Sequence, residues 1–287
     1  MWCGILRREA KNEGSSQSFL NMNDLLDRVV LLVKDYGLND LNKSGQNFLV
    51  DSELLRKETS ALAPSKDDIV LDIGTGFGFE LEELGHECKI VAVEKDVKIF
   101  SYLINKYELN KNVQLINGDV LDMVLPVFTK VLSNPPYHLV DRILIKLSRY
   151  EFDAGVMILP KTITDGLLNG SADTNATRLT TYLGTFFELK ELAGVEKDSF
   201  YPPPRVTSRM VLIKKKKRSL AQEVLKKDEM TVKNAILRSV QNTEDKTKRQ
   251  SRETFKNYED RLSEIKDKQI KRLNTKEMRT LIEVLEN

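Results

Sequence analysis

From Lys43 to Ile213 the chain alternates short apolar, β-branched runs with stretches of helical spacing. The runs are Ile69 to Ile73, Ile90 to Val93, Val113 to Ile116, Val131 to Ser133 and Gly155 to Leu159. Such alternation predicts an α/β fold, a mostly parallel sheet with helices on both faces. The last run, Val206 to Ile213, follows a proline-rich loop with no long helix before it, so an antiparallel addition is expected there. Upstream, residues 1 to 42 read as an extension: a polar start with Gly14, Ser15 and Ser16, then an amphipathic segment from Asp24 to Tyr36 with Leu25, Val29, Leu32 and Val33 at helical spacing. Downstream, Lys214-Lys215-Lys216-Lys217-Arg218 closes the last run and marks a boundary. Glycine and proline then all but vanish, and Met278, Leu281, Ile282 and Leu285 recur as one helical face. Three parts are expected: an extension over 1–42, an α/β domain over 43–213 and a small helical domain over 214–287. The very polar stretch 241–258 is expected to be partly mobile.

Composition adds a partner class. At 287 residues and 40% hydrophobic content, the chain can build one sizeable core and a smaller one. Its net charge of +2 hides an asymmetry: residues 214–287 hold 21 Lys and Arg against 13 Asp and Glu, while the first 213 hold 24 against 30. A basic appendage on an acidic body suggests a polyanionic partner, nucleic acid first, although a well-solvated Lys/Glu helix has the same composition. The longest early apolar run, Val29 to Val33, is too short for a membrane helix, and nothing near Met1 has a secretory layout, so the cytoplasm is expected. Cys3 and Cys88, with His86 and His138, form no ligand spacing, and neither a disulfide framework nor a metal is expected.

The candidate chemistry sits at strand ends. Asp72-Ile73-Gly74-Thr75-Gly76-Phe77-Gly78 ends the first strong strand, where a doubly wound sheet meets a nucleotide-type ligand. Gly74 and Gly76 let backbone approach that ligand closely. The G-x-G-x-G spacing and the acid before it suit a sulfonium cofactor with a cationic centre better than an anionic pyrophosphate; alone, the same glycines could make a tight strand-to-helix turn. Glu94 ends the next strand 20 residues after Gly74, where a carboxylate for ribose hydroxyls is expected. Asp119, after the third strand, is placed to accept the cofactor's adenine amine, with Asp122 the competing acid. The fourth strand delivers Asn134-Pro135-Pro136-Tyr137. A carboxamide and a proline-flanked carbonyl can each accept a proton of an exocyclic amine, and a tyrosine ring can stack on its base. Two acceptors that pull a delocalised lone pair toward tetrahedral geometry make it nucleophilic without a strong base. A plain Pro-Pro turn accounts for those four residues by themselves. With the cofactor acids, the reading is a class I, Rossmann-like S-adenosylmethionine-dependent methyltransferase.

Two further segments narrow the substrate. Gly45-Gln46-Asn47-Phe48-Leu49-Val50-Asp51 precedes the glycine loop, and Phe200-Tyr201-Pro202-Pro203-Pro204-Arg205-Val206-Thr207-Ser208 follows the fifth strand. In this order, with the glycine loop and the Asn134 motif, they make the chain resemble the rRNA adenine N6-dimethyltransferase family. The resemblance is strong over residues 43 to 213 and general beyond. It implies that Asn47 and Leu49 border the S-adenosylmethionine site, completed by Gly74, Glu94, Asp119 and Asn134. It also implies that Tyr137 stacks on a flipped adenine with Phe200 on the other side, and that Arg205 and the basic tail hold RNA backbone. The implied activity is methylation of two adjacent adenosines in small-subunit rRNA on an immature small ribosomal subunit, by a monomer. The chain departs from the family pattern at Pro135, usually leucine or isoleucine, at His138 to Asp141, at Pro160-Lys161-Thr162, where Gln-Lys-Glu is familiar, and in lacking an Arg-Arg-Lys signature near Lys246, Lys248 and Arg249. Two rival readings remain: a methylase of another planar amine, such as a protein glutamine or a guanine, or an RNA-binding assembly or transcription factor whose catalysis has ended.

Overall fold

The computed structural model describes residues 25–41, 45–85, 87–169, 177–243 and 246–286. Each expected apolar run becomes a strand: β2 (Ile69–Ile73), β3 (Lys89–Glu94), β4 (Val113–Asn117), β5 (Lys130–Ser133) and β6 (Ala154–Pro160). A two-residue strand, β1 (Phe48–Leu49), comes before them. The main sheet runs β4-β3-β2-β5-β6-β9-β7, with β7 (Phe187–Val195) and β9 (Ser208–Lys215) both antiparallel to their neighbours. The other five strands are parallel. The run from Val206 is therefore antiparallel, as its lack of a preceding helix implied, although it starts at Ser208. β7 was not expected. Its Glu188, Lys190 and Glu191 hide any apolar period, and such polar side chains suit a strand that pairs on one side only.

Alternation along the strands builds two cores. Val70, Ile90, Ala92, Leu132, Val156 and Ile158 point to one face. There they meet α1 (Leu25–Asp35), α2 (Ser52–Leu62), α3 (Phe79–Leu84) and α4 (Val97–Tyr107). Leu71, Ile73, Val91, Val93, Val131, Met157 and Leu159 point to the other, against α5 (Val140–Leu147), α6 (Lys161–Leu168) and α7 (Arg178–Phe186). Local signals start the helices. The Asp51 carboxylate accepts the N–H groups of Glu53 and Leu54 at 3.0 and 3.1 Å to begin α2, and Asp96 does the same for α4. Helix α1 falls inside the predicted amphipathic segment and buries Leu25, Val29 and Leu32, each worth about 1.5–3 kcal/mol. Residues 1 to 24 of the expected extension lie outside the described residues.

Beyond β9 come α8 (Leu220–Leu225), α9 (Val232–Thr243), α10 (Lys248–Glu259) and α11 (Thr275–Glu286). Their buried Val224, Ile236, Phe255 and Leu281 belong to the same apolar cluster as the α5–α7 face of the sheet. Arg178 of α7 ties them down by donating to the carbonyls of Leu273 and Ile270 at 2.9 and 3.3 Å. The polar stretch expected to be partly mobile is, where described, helical except at Lys246 and Thr247. Thr247 and Gln250 form a reciprocal capping box at the start of α10, and Phe255 anchors its inner face. Among the described residues no helix is long and apolar enough to cross a membrane.

Candidate active site

Strand order reverses beside β2: β3 and β4 lie on one side, β5 and β6 on the other. At such a switch point the loops leaving the carboxyl ends diverge and open a crevice. A cavity of about 480 Å³ occupies it, a size suited to a small-molecule cofactor, and its wall includes Gly74, Gly76, Glu94, Asp119 and Asn134.

The glycine loop is shaped for close approach. Gly74, Gly76 and Gly78 have φ of 73°, 54° and 71°, in the left-handed region. At Gly76 a side chain is excluded twice, because a Cβ would also lie 3.3 Å from the Phe48 ring. The loop is held from below by Glu94, whose Oε2 accepts from the Gly76 N–H at 3.0 Å and whose Oε1 accepts from the Asp96 N–H at 2.7 Å. Burial pushes the Glu94 carboxyl up to about 7, against the lowering effect of those two hydrogen bonds. Glu94 lines the cavity where a carboxylate for ribose hydroxyls is expected. Asp119 is different: Oδ2 accepts from Lys95 Nζ and Oδ1 from the Leu121 N–H, each at 2.8 Å. The Lys95 hydrogen bond holds its carboxyl below the usual range. The competing acid, Asp122, is exposed and off the wall.

Sequence reading did not anticipate Glu80 and Glu58. Glu80, on α3, lines the cavity, and burial pushes it up to about 7. Asp72 and Glu58 are buried, with Oδ2 of the one and both oxygens of the other lacking hydrogen-bond partners. Burial, and next the charge of Glu80, raise both well above the carboxylate range, so each is held in the neutral form. Only Asp72 carried a signal, as the acid before the loop; Glu58 is 14 residues upstream on another helix.

The Asn134 turn is locked by the two segments that flank the domain in sequence. Asn134 Nδ2 donates to the carbonyl of Asn47 at 3.2 Å, which leaves Oδ1 as the acceptor on the wall. Asn47 in turn donates Nδ2 to the carbonyl of Pro202 at 2.6 Å. β1 pairs with β8 (Phe200–Tyr201), Phe48 opposite Tyr201 and Leu49 opposite Phe200. The structure thus brings Asn47, Leu49, Pro135 and Tyr137 to the wall together with Asn134. It does not bring Phe200 there. Its ring is 2% exposed among the residues of the α1–α4 core and offers no open face to a base. Tyr137 opens a short 3₁₀ turn, Tyr137–Leu139, and its hydroxyl is hydrogen-bonded to Ser208 Oγ. His138 is exposed on the cavity rim, so close to Gly45 that a Cβ there would sit 2.8 Å from Nδ1. Arg205 is exposed on the proline-rich loop.

Comparison with known proteins agrees in one direction. A family model described as ribosomal RNA adenine dimethylase matches residues 38–286. A probable ribosomal RNA small subunit methyltransferase A of Pyrococcus abyssi is 33% identical over 192 residues, 67% of this chain and 71% of its own length. The protein of that name from Pyrococcus furiosus is 31% identical over 188 residues, 65% and 68%. Among solved structures, a dimethyladenosine transferase from Plasmodium falciparum superposes with a TM-score of 0.58 at 23% identity, over 80% of this chain and 94% of that one. The 23S rRNA methyltransferase ErmE does so with 0.55 at 18%, over 84% and 100%. Those two likenesses show the fold.

Proposed function

Because this chain belongs to the ribosomal RNA adenine dimethylase family and has the class I methyltransferase fold, we propose that it methylates the N6 amine of adenosines in small-subunit rRNA. The methyl donor of the family, S-adenosylmethionine, supplies an electrophilic methyl group on a sulfonium when bound. The observation that carries the reading is the state of Asn134: its nitrogen is committed to the Asn47 carbonyl, so an acceptor oxygen is what remains for an incoming amine. Paired with the carbonyl of Pro135, it localises the amine lone pair and sets its direction, and alignment and electrostatics supply most of the rate. Tyr137 offers a face on which an extruded base can stack, worth about 1–3 kcal/mol.

The residues present fit the donor. At Gly74 the space where a Cβ would stand is open, with nothing within 4 Å, and Glu80, Glu94 and Asp119 line the cavity with acceptors for the donor's polar groups. Glu94 would hold the ribose hydroxyls, Asp119 the adenine amine, and Asn47 and Leu49 the border. The product is N6,N6-dimethyladenosine at two adjacent positions, formed by a monomer acting in the cytoplasm on immature small subunits, with Arg205 and the C-terminal helices on RNA backbone. Tritiated methyl transfer to small subunits lacking the modification tests this. Asn134→Ala is expected to lower incorporation by about a thousandfold, as for loss of a group acting only in the transition state. Incorporation unchanged by that substitution would reject the assignment.

A further inference from the structure

We propose that Ser208 is a positioning residue for the transfer: it fixes the Tyr137 ring in the plane a stacked adenine requires. The inference rests on the reading of Tyr137 as the stacking face. Ser208 is 3% exposed, covered as closely as the Met210 and Val211 that follow it at 0%. A buried hydroxyl at a strand position that could hold an apolar side chain needs a partner, and Tyr137 Oη is the partner it has. The anchor is rigid. Ser208 is paired on both sides, opposite Pro160 of β6 and Val195 of β7, and the next residue back, Thr207, accepts from the Lys161 N–H at 3.0 Å.

Tyr137 needs such an anchor. It stands on a one-turn 3₁₀ element directly after Pro135 and Pro136, so its Cα is set by the prolines, its ring leans on the α5–α7 core, and the Ser208 hydrogen bond fixes its far end. With both ends fixed the ring holds the stacked base in the orientation that transfer requires. The same segment also reaches the other half of the motif, since Pro202 holds Asn47 and Asn47 holds Asn134. The stretch from Pro202 to Ser208 thereby sets the amine acceptor and the stacking ring relative to each other.

The test uses the full chain, tritiated S-adenosylmethionine and small subunits lacking the modification, with Ser208→Ala, Ser208→Thr, Tyr137→Phe and the double variant Ser208→Ala/Tyr137→Phe. Ser208→Ala is expected to lower kcat about tenfold, the rate equivalent of one hydrogen bond, with KM for RNA and affinity for S-adenosylmethionine within about twofold of the parent. Ser208→Thr, which keeps the hydroxyl, restores turnover. Tyr137→Phe matches Ser208→Ala, and the double variant is no slower than either. Turnover of Ser208→Ala within about twofold of the parent, or losses that multiply in the double variant, overturns the proposal. So does a loss of turnover that follows a fall in melting temperature and in cofactor affinity together, which marks a purely structural role. If the parent places no methyl on adenine, the underlying reading falls and this one with it; an active parent with an indifferent Ser208 removes this one alone.

Discussion

The cavity and the C-terminal helices handle charge in opposite ways. Around the glycine loop four carboxyls, Glu58, Asp72, Glu80 and Glu94, are withdrawn from water, and burial holds each toward its neutral form. On α10 the charges Lys248, Arg249, Arg252 and Lys256 are exposed, Arg249 paired with Glu253 one turn on, with Ser251 and Phe255 turned inward. Neutral buried acids act at contact range, as hydrogen-bonding groups that discriminate a ligand by shape and donor pattern and are little affected by salt. Exposed bases act at long range on any polyanion, and their effect fades as salt rises. On the proposed function, recognition is divided: a small cofactor held at contact range at the carboxyl ends of the strands, a large anionic substrate drawn in by surface charge.

Three experiments can break that division. The largest effect is expected from Asp119→Ala and Glu94→Gln, which should weaken S-adenosylmethionine binding by about 10- to 100-fold in calorimetry while rRNA binding stays the same. Loss of rRNA affinity instead would mean that the acids serve the wrong ligand. A smaller effect should follow from replacing Lys248, Arg249, Arg252 and Lys256 together by Gln: rRNA affinity falls by roughly tenfold at physiological salt and the salt slope drops by roughly 3, with cofactor affinity untouched. An unchanged slope would take α10 out of the RNA surface.

A third effect, on stability rather than on binding, is one of pH on the ligand-free protein. Glu94 and Glu80 are both pushed from an ordinary value of 4.5 up to about 7, so the folded chain binds protons more tightly than the unfolded one. Stability should then fall as pH rises from about 4.5 to about 7, by roughly 3 kcal/mol for Glu94 alone. Asp119 and Asp68, both lowered by their partners, are already ionised over that window and add no slope. Glu94→Gln should make the profile read by urea midpoints less steep, with Glu80, Glu58 and Asp72 keeping the remaining slope. A parent that gains stability over the window, or a variant as steep as the parent, would show that burial is not what governs this carboxyl.

The parallel strands were legible because they are buried on both faces, so that apolar runs such as Ile69 to Ile73 coincide with the strand itself. Glu94, Asp119 and Asn134 were legible for a related reason: a parallel sheet collects successive strand ends in one crevice, and position after a strand is a local property. What escaped was non-local. The bond from Asn47 to Pro202 spans 155 residues and that from Tyr137 to Ser208 spans 71, and no spacing rule connects them. Phe200 shows the limit most clearly. Its motif marked an extended segment beside the site, but not that the ring is buried in the core. β7 escaped because an edge strand bears charges where a central one bears valines.

The measurement that bears most directly on the assignment is chromatography of nucleosides from small-subunit rRNA labelled by the parent chain with tritiated S-adenosylmethionine. The label is expected in N6,N6-dimethyladenosine. Label in a guanosine derivative or in glutamine of a ribosomal protein would contradict it, as would RNA that binds but carries no label at all.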